Sequence, residues 1–166
     1  LAFPQEVWKN FCVTDQFEPG STFKIVTAAA ALEENLVKPD STFFDPGYLL
    51  VEDRRLHCWY PGGHGSQTFV EAMENSCNPV FASLALSLGA ARFRRYITAF
   101  GFGARTGIDF PGEATGTVPR LEEKKRVELA TMGFGQGVSV TPIQLVAAMG
   151  AVVNGGYLVR PRLLKE

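Results

Sequence analysis

Helical runs of apolar residues alternate along this chain with long breaks rich in Gly and Pro. The first clear run follows the turn signal Glu18-Pro19-Gly20. Ser21 to Glu34 is rich in Ala, contains no Gly or Pro, and predicts a helix. Lys24 is the only charged side chain between Glu18 and Glu33, so the helix is apolar nearly all round. Such a helix packs indoors, and Lys24 is expected to be buried with it. Residues 38–65 then break into Pro39, Asp40, Asp45-Pro46-Gly47 and Pro61-Gly62-Gly63. Only Tyr48 to Glu52 reads as a strand there, so this stretch is expected to be loop with one hairpin.

Thr68 followed three residues later by Glu71 has the form of a capping box and opens a short helix ending near Ser76. Pro79 at a first helical position opens another, which runs to Leu88 and stops at Gly89. From Ala90 to Phe100 the residues Phe93, Tyr96, Ile97 and Phe100 recur at spacings of three and four, with Arg92, Arg94 and Arg95 off that stripe. That spacing predicts an amphipathic helix. Gly101 to Pro119 reads as a long loop or a pair of short strands, and Arg120 to Arg126 as a charged surface stretch. Thr141-Pro142 with Gln144 caps a last helix ending at Asn154-Gly155-Gly156. Tyr157 to Glu166 looks like the start of a strand. The whole is predominantly α-helical, five or six helices with little sheet.

Composition narrows the function classes. With 166 residues, 46% of them hydrophobic, the chain is large enough to bury a core. Lys and Arg number 16 against 17 Asp and Glu, which removes the electrostatic case for a nucleic acid or an anionic membrane surface. The longest apolar stretches, Ile25 to Leu32 and Pro79 to Ala91, fall short of the ~18 residues a membrane span needs. The chain opens at Leu1 without an initiator Met or a basic-then-apolar leader. The reading is a segment cut at both ends, with any membrane anchor outside it. Cys12, Cys58 and Cys77 cannot all pair, and their separations of 46 and 19 residues match no zinc pattern of close pairs. Cys58 with His57 and His64 lacks a fourth ligand, so neither a metal nor another cofactor is expected.

Two constellations carry chemistry. Ser21 and Lys24 stand three apart at the start of a buried helix, which puts hydroxyl and amine on one face within hydrogen-bond reach. A serine is a weak nucleophile at neutral pH, and a lysine activates it only where burial keeps the amine partly neutral. The bland alternative is a cap at Ser21 and a Lys24 that reaches water along its stem. The second constellation is Ser76-Cys77-Asn78, where an amide side chain can hold a substrate amide and a hydroxyl can pass a proton. Cys77 reads there as a spacer. Alone, the triplet is equally a helix-breaking linker.

Taken together, a Ser-x-x-Lys and a Ser-x-Asn motif are two of the three parts of the β-lactamase and penicillin-binding protein site. Val13-Thr14-Asp15-Gln16-Phe17-Glu18-Pro19-Gly20-Ser21-Thr22-Phe23-Lys24 closely resembles the entry to the nucleophile helix of class B penicillin-binding proteins. Gly65 to Phe81, Gly107-Ile108-Asp109-Phe110-Pro111-Gly112-Glu113, and Gly133 to Gln144 are similar to later signatures of the same proteins. The resemblance implies an α+β transpeptidase fold, of which this chain is the helical lobe. It also implies roles: Ser21 the acylated nucleophile, Lys24 its base, Ser76 a proton shuttle and Asn78 a substrate-binding amide. The implied partners are the peptidoglycan stem peptide and β-lactams, at the extracytoplasmic face of the bacterial cell membrane.

The third motif, Lys then Thr or Ser then Gly, follows none of the six lysines, and its place is expected downstream of Glu166. Arg105-Thr106-Gly107 reads instead as part of a surface loop, because its Gly and Pro neighbours suit a turn better than a buried strand. Two other classes stay open at this point. A β-lactamase or β-lactam sensor shares the serine-lysine helix, although class D enzymes and sensors usually carry a hydrophobic residue where Asn78 stands. A non-catalytic helical fragment would expose an apolar face and dimerise through it.

Overall fold

The computed structural model describes residues 8–120, 122 and 125–165 of the chain. They form two compact units, one of residues 20–96 with 120–137, the other of residues up to 19 with 97–119 and 138 onward.

The first of these holds the motifs. A 3-10 turn, Gly20–Phe23, leads directly into α2, Lys24–Glu33, after a short α1 at Phe11–Thr14 in the other unit. The Ala-rich run is thus helical as its composition requires, and Phe23, Val26, Ala30 and Ala31 are buried. Residues 38–65 contain more sheet than the expected single hairpin. β2, Tyr48–Val51, pairs antiparallel with β3, Arg54–His57; β1, Thr42–Asp45, pairs antiparallel with β4, Gly65–Thr68. The inner hairpin is the one its apolar run announces. The outer pair is missed because β4 reads Gly-Ser-Gln-Thr and buries a glutamine, Gln67, where a strand pattern would show an apolar residue.

α3, Phe69–Glu74, begins at the capping box: Thr68 Oγ1 accepts from Glu71 N, and Glu71 Oε2 accepts from Thr68 N. α4 spans Asn78–Ala99 across a kink at Gly89, whose φ of 73° and ψ of 162° lie outside helical space. The predicted break is therefore present, and two helices meet across Gly89. Phe93 and Ile97 are fully buried and Arg92, Arg94 and Arg95 exposed, as the amphipathic spacing demands. α5, Arg126–Met132, packs on β2 and begins at the last residue of the stretch Arg120 to Arg126, which was expected to be charged surface. Part of that stretch is outside the described residues, and of the rest Arg120, Glu122, Lys125 and Arg126 are exposed. Ala28, Phe69, Ala72, Cys77, Val80, Phe81, Leu84, Ala130 and Phe134 make one apolar cluster behind the motifs.

In the other unit α1 packs on α6, Pro142–Val153. Of the two readings of Gly101 to Pro119 the long loop holds, with one isolated antiparallel bridge from Thr117 to Ser139; a second bridge joins Phe17 to Val140. Gln144 is 1% exposed, and its Nε2 donates to Ala104 O and Thr115 O at 2.7 and 2.8 Å, while its Oε1 accepts from Thr141 N at 2.9 Å. This is a buried capping box. Thr141→Ala leaves Gln144 N without its acceptor, so it is expected to cost about 2 kcal/mol, the upper end for such caps. Thermal unfolding should show the midpoint falling by roughly 4–8 °C. Tyr157–Lys165 forms no strand, contrary to expectation: the start of a strand needs a neighbour, and no described segment pairs with it. No helix among the described residues is long and apolar enough to cross a membrane.

Candidate active site

Lys24 is 1% exposed, and its Nζ gathers four oxygens. Ser21 Oγ lies at 3.1 Å, Ser76 Oγ at 2.9 Å, the Ser76 carbonyl at 2.6 Å and Asn78 Oδ1 at 2.7 Å. All four candidate residues therefore meet at one amine. Burial lowers the Lys24 pKa from 10.5 to about 8, against smaller opposing contributions from Cys77 and Cys58.

Hydrogen-bond chemistry assigns this amine a direction. The Ser76 carbonyl and Asn78 Oδ1 only accept, so each takes one hydrogen from Nζ. In the neutral amine these use both hydrogens, and the remaining lone pair is left for a hydroxyl. Ser21 Oγ at 3.1 Å and Ser76 Oγ at 2.9 Å both lie within hydrogen-bond distance of Nζ, and either hydroxyl can donate to that lone pair. The bland reading of Lys24 as a side chain reaching water is excluded by its burial.

Local backbone explains why these groups converge. Gly20 has φ 55°, and its N–H donates to Gly135 O at 3.2 Å, which seats the 3-10 turn that presents Ser21. Thr27 Oγ1 donates to Gly133 O at 2.7 Å one turn further along α2. On the opposite wall α3 ends in a Schellman motif: Cys77 N donates to Ala72 O at 2.9 Å and Ser76 N to Met73 O at 3.1 Å. The left-handed residue of such a motif is usually glycine. Here it is Ser76, at φ 51°. A serine in that conformation costs about 1–2 kcal/mol. The strain turns both its carbonyl and its hydroxyl onto Lys24. Asn78 follows at the start of α4, and its Nδ2 donates to His57 O at 3.4 Å while keeping a second N–H.

Cys77 is more than a spacer. Its thiol is fully buried and donates to Asp45 Oδ2 at 3.3 Å, and burial pushes its pKa up to about 12. Asp45 lies on β1 with no exposed surface. Burial raises its pKa, but hydrogen bonds from Cys58, Gly47 and His64 outweigh this and bring it to about 2. The sequence shows Asp45 only as the opening of a turn, and its place beside Cys77 comes from strand pairing.

Arg105-Thr106-Gly107 is a loop, as expected. Thr106 N and Oγ1 and Gly107 N all donate to the Glu113 carboxylate, at 2.6, 2.5 and 3.1 Å.

A family profile described as the penicillin binding protein transpeptidase domain matches residues 3–166. The chain belongs to that family. It is 54% identical over 160 residues to stage V sporulation protein D of Bacillus subtilis, covering 95% of this chain and 25% of that protein. It is 32% identical over 160 residues to the peptidoglycan D,D-transpeptidase MrdA of Haemophilus influenzae, covering 90% and 25%. Among solved structures, penicillin-binding protein 2 of Pseudomonas aeruginosa in complex with WCK 5153 superposes with TM-score 0.87 at 34% identity, covering 95% of this chain and 38% of that one. Penicillin-binding protein 3 of Mycobacterium tuberculosis complexed with aztreonam gives 0.85 at 33%, covering 94% and 35%. The fold is thus that of the α+β transpeptidase domains, of which this chain is a helix-rich part. It spans about a quarter of the length of the curated relatives it matches.

Proposed function

We propose that this chain carries the nucleophile half of a serine D,D-transpeptidase that cross-links peptidoglycan stem peptides and is acylated by β-lactams. The observation that carries this reading is the single buried amine, Lys24 Nζ, bound at once to Ser21, Ser76 and Asn78. Ser21 Oγ attacks the carbonyl carbon of the penultimate D-Ala as its proton passes to Lys24. The C–N bond then breaks, and the departing D-Ala amine takes a proton relayed from Lys24 through Ser76 Oγ. Asn78 holds the substrate amide. An amine of a second stem peptide attacks the ester and frees Ser21. A β-lactam opens its ring amide by the same first attack.

The Ser21 backbone N–H serves as one oxyanion donor, and the second donor with the Lys-Thr/Ser-Gly motif is placed outside these 166 residues. The site works at the extracytoplasmic face of the bacterial membrane, with attachment through an anchor outside this chain. The shared profile and the relatives' names support this reading over a β-lactamase.

The test is penicillin acylation followed by intact-mass spectrometry, on this chain and on the chain extended into its parent's downstream sequence. The extended protein should acylate at Ser21 about 10²–10³ faster, the worth of one oxyanion donor. Equal rates would place the whole site within these residues, and an adduct anywhere but Ser21 would overturn the assignment.

A further inference from the structure

One aromatic ring presents its face to the Lys24 amine. Phe81 is fully buried, and Lys24 Nζ stands over its ring, 5.5 Å from the centroid. A cation within about 6 Å of a ring centroid, over the face, is attracted by the ring quadrupole. The other neighbours of Nζ are two hydroxyls, a carbonyl and an amide oxygen, all uncharged. Among the described residues no carboxylate forms an ion pair with this amine.

A positive charge on Nζ therefore arises inside the protein without a counter-ion, which is costly unless something else supports it. Under the function proposed above this happens in every turnover. Lys24 starts neutral and becomes an ammonium as the Ser21 O–H breaks and an N–H forms. From this geometry we propose that Phe81 is a positioning residue for the reaction, its ring face supporting the ammonium that Lys24 becomes. The inference rests on the roles given to Ser21 and Lys24, and adds the group that steadies the charge until the proton is passed on.

An aromatic face suits that task better than another oxygen. The Ser76 carbonyl and Asn78 Oδ1 already take both hydrogens of the neutral amine. A further acceptor would compete with them, and a water there would donate to the lone pair that a serine hydroxyl needs. The ring attracts the cation through its quadrupole, claims neither a hydrogen nor the lone pair, and keeps water out.

The fold holds the ring in that place. Phe81 stands three residues after Asn78 in the first turn of α4, so the two side chains share one helix face, and both reach Lys24. The Phe81 backbone is pressed against Gly133, where an added Cβ would stand 2.5 Å from Phe81 O. The Gly133 carbonyl in turn accepts from Thr27 Oγ1, on the same helix as Lys24. The Phe69 ring packs on the Phe81 ring at 6.2 Å between centroids. Contacts of backbone and core thus set the distance from amine to ring.

The test is the pH dependence of penicillin acylation in the full-length parent, in Phe81→Leu, and in proteins carrying at position 81 phenylalanines with one, two and five ring fluorines. Fluorine withdraws electron density from the ring face and nearly preserves its shape, so the series separates electrostatics from packing even where Phe81→Leu fails to fold. Weaker support disfavours the ammonium, so the midpoint of the acylation climb should move to lower pH. The shift should grow with each fluorine step and reach about 0.4–1.5 pH units for the fully fluorinated ring, the worth of such a contact. The plateau should fall with it, because a weaker base takes the proton less readily. The thiols of Cys58 and Cys77 also act on the Lys24 charge. Burial pushes both up, Cys77 to about 12, so they titrate above this climb. Lys24 titrated directly, by NMR of isotope-labelled lysine, should show the same ordered shift with no acylation involved. A midpoint that stays fixed across the fluorinated series, with activity following thermal stability alone, makes Phe81 a core residue only and overturns the proposal. Labelling that survives Ser21→Ala would instead overturn the functional reading on which the proposal rests, and the direct titration tells the two failures apart.

Discussion

On the proposed function, Ser21→Ala is expected to abolish labelling by a fluorescent penicillin, and Lys24→Met to slow acylation by about 10²–10⁴, the usual worth of a positioned base. Ser66→Ala, on the exposed edge of β4, labels normally. The pH dependence separates the base from a merely structural lysine. Burial lowers the Lys24 pKa to about 8, so its neutral, proton-accepting form grows as pH rises through that value. Acylation should climb between roughly pH 7 and 9 and level off above, and the climb should vanish in Lys24→Met. A methionine matches the buried stem but offers no lone pair of comparable basicity. Labelling that survives Ser21→Ala, or an unchanged pH profile in Lys24→Met, would remove the pair from the chemistry.

Gly135→Ala should damage both the fold and the site, although it lies 114 residues from Ser21 in sequence. Gly135 has φ +82°, and an added Cβ would stand 2.0 Å from the carbonyl oxygen of Gly20. The obstruction is backbone and cannot swing aside. Left-handed strain contributes about 1–2 kcal/mol. Overpacking adds about 1–3 kcal/mol. The unfolding midpoint should therefore fall by roughly 5–15 °C. Any relief must push Gly20 away and break its hydrogen bond to Gly135 O, which displaces the turn presenting Ser21. Even ~1 Å of displacement costs about 10²-fold in rate. The measurements are calorimetry and penicillin acylation of the same sample, and a fully stable Gly135→Ala would show that the two turns are not in fact this close.

The hydrogen bond from Cys77 to Asp45 changes how substitutions at Cys77 are to be understood. A residue that sequence spacing reduces to filler is attached through its side chain to the buried carboxylate of another element. Changes there reach Lys24 through the neighbouring backbone, because Ser76 O and Ser76 Oγ both bind its amine.

What the sequence determined by itself is what acts within three or four residues. The capping boxes at Thr68 and Thr141, the break at Gly89 and the stripe of Phe93 and Ile97 are all written in short-range spacing, and all are present. The Ser21 to Lys24 contact belongs with them, since one helical turn brings the two groups together. Burial of Lys24 was legible because its helix has no other charge near it. Tertiary structure alone decided the pairing of β1 with β4, the seat of Gly20 on Gly135, the convergence of Ser76 and Asn78 on Lys24, and the placing of Asp45 beside Cys77. Each joins residues tens of positions apart, where many closures cost nearly the same chain entropy and local pattern cannot choose among them. The choice falls to the packing of one buried cluster, which only the folded chain possesses.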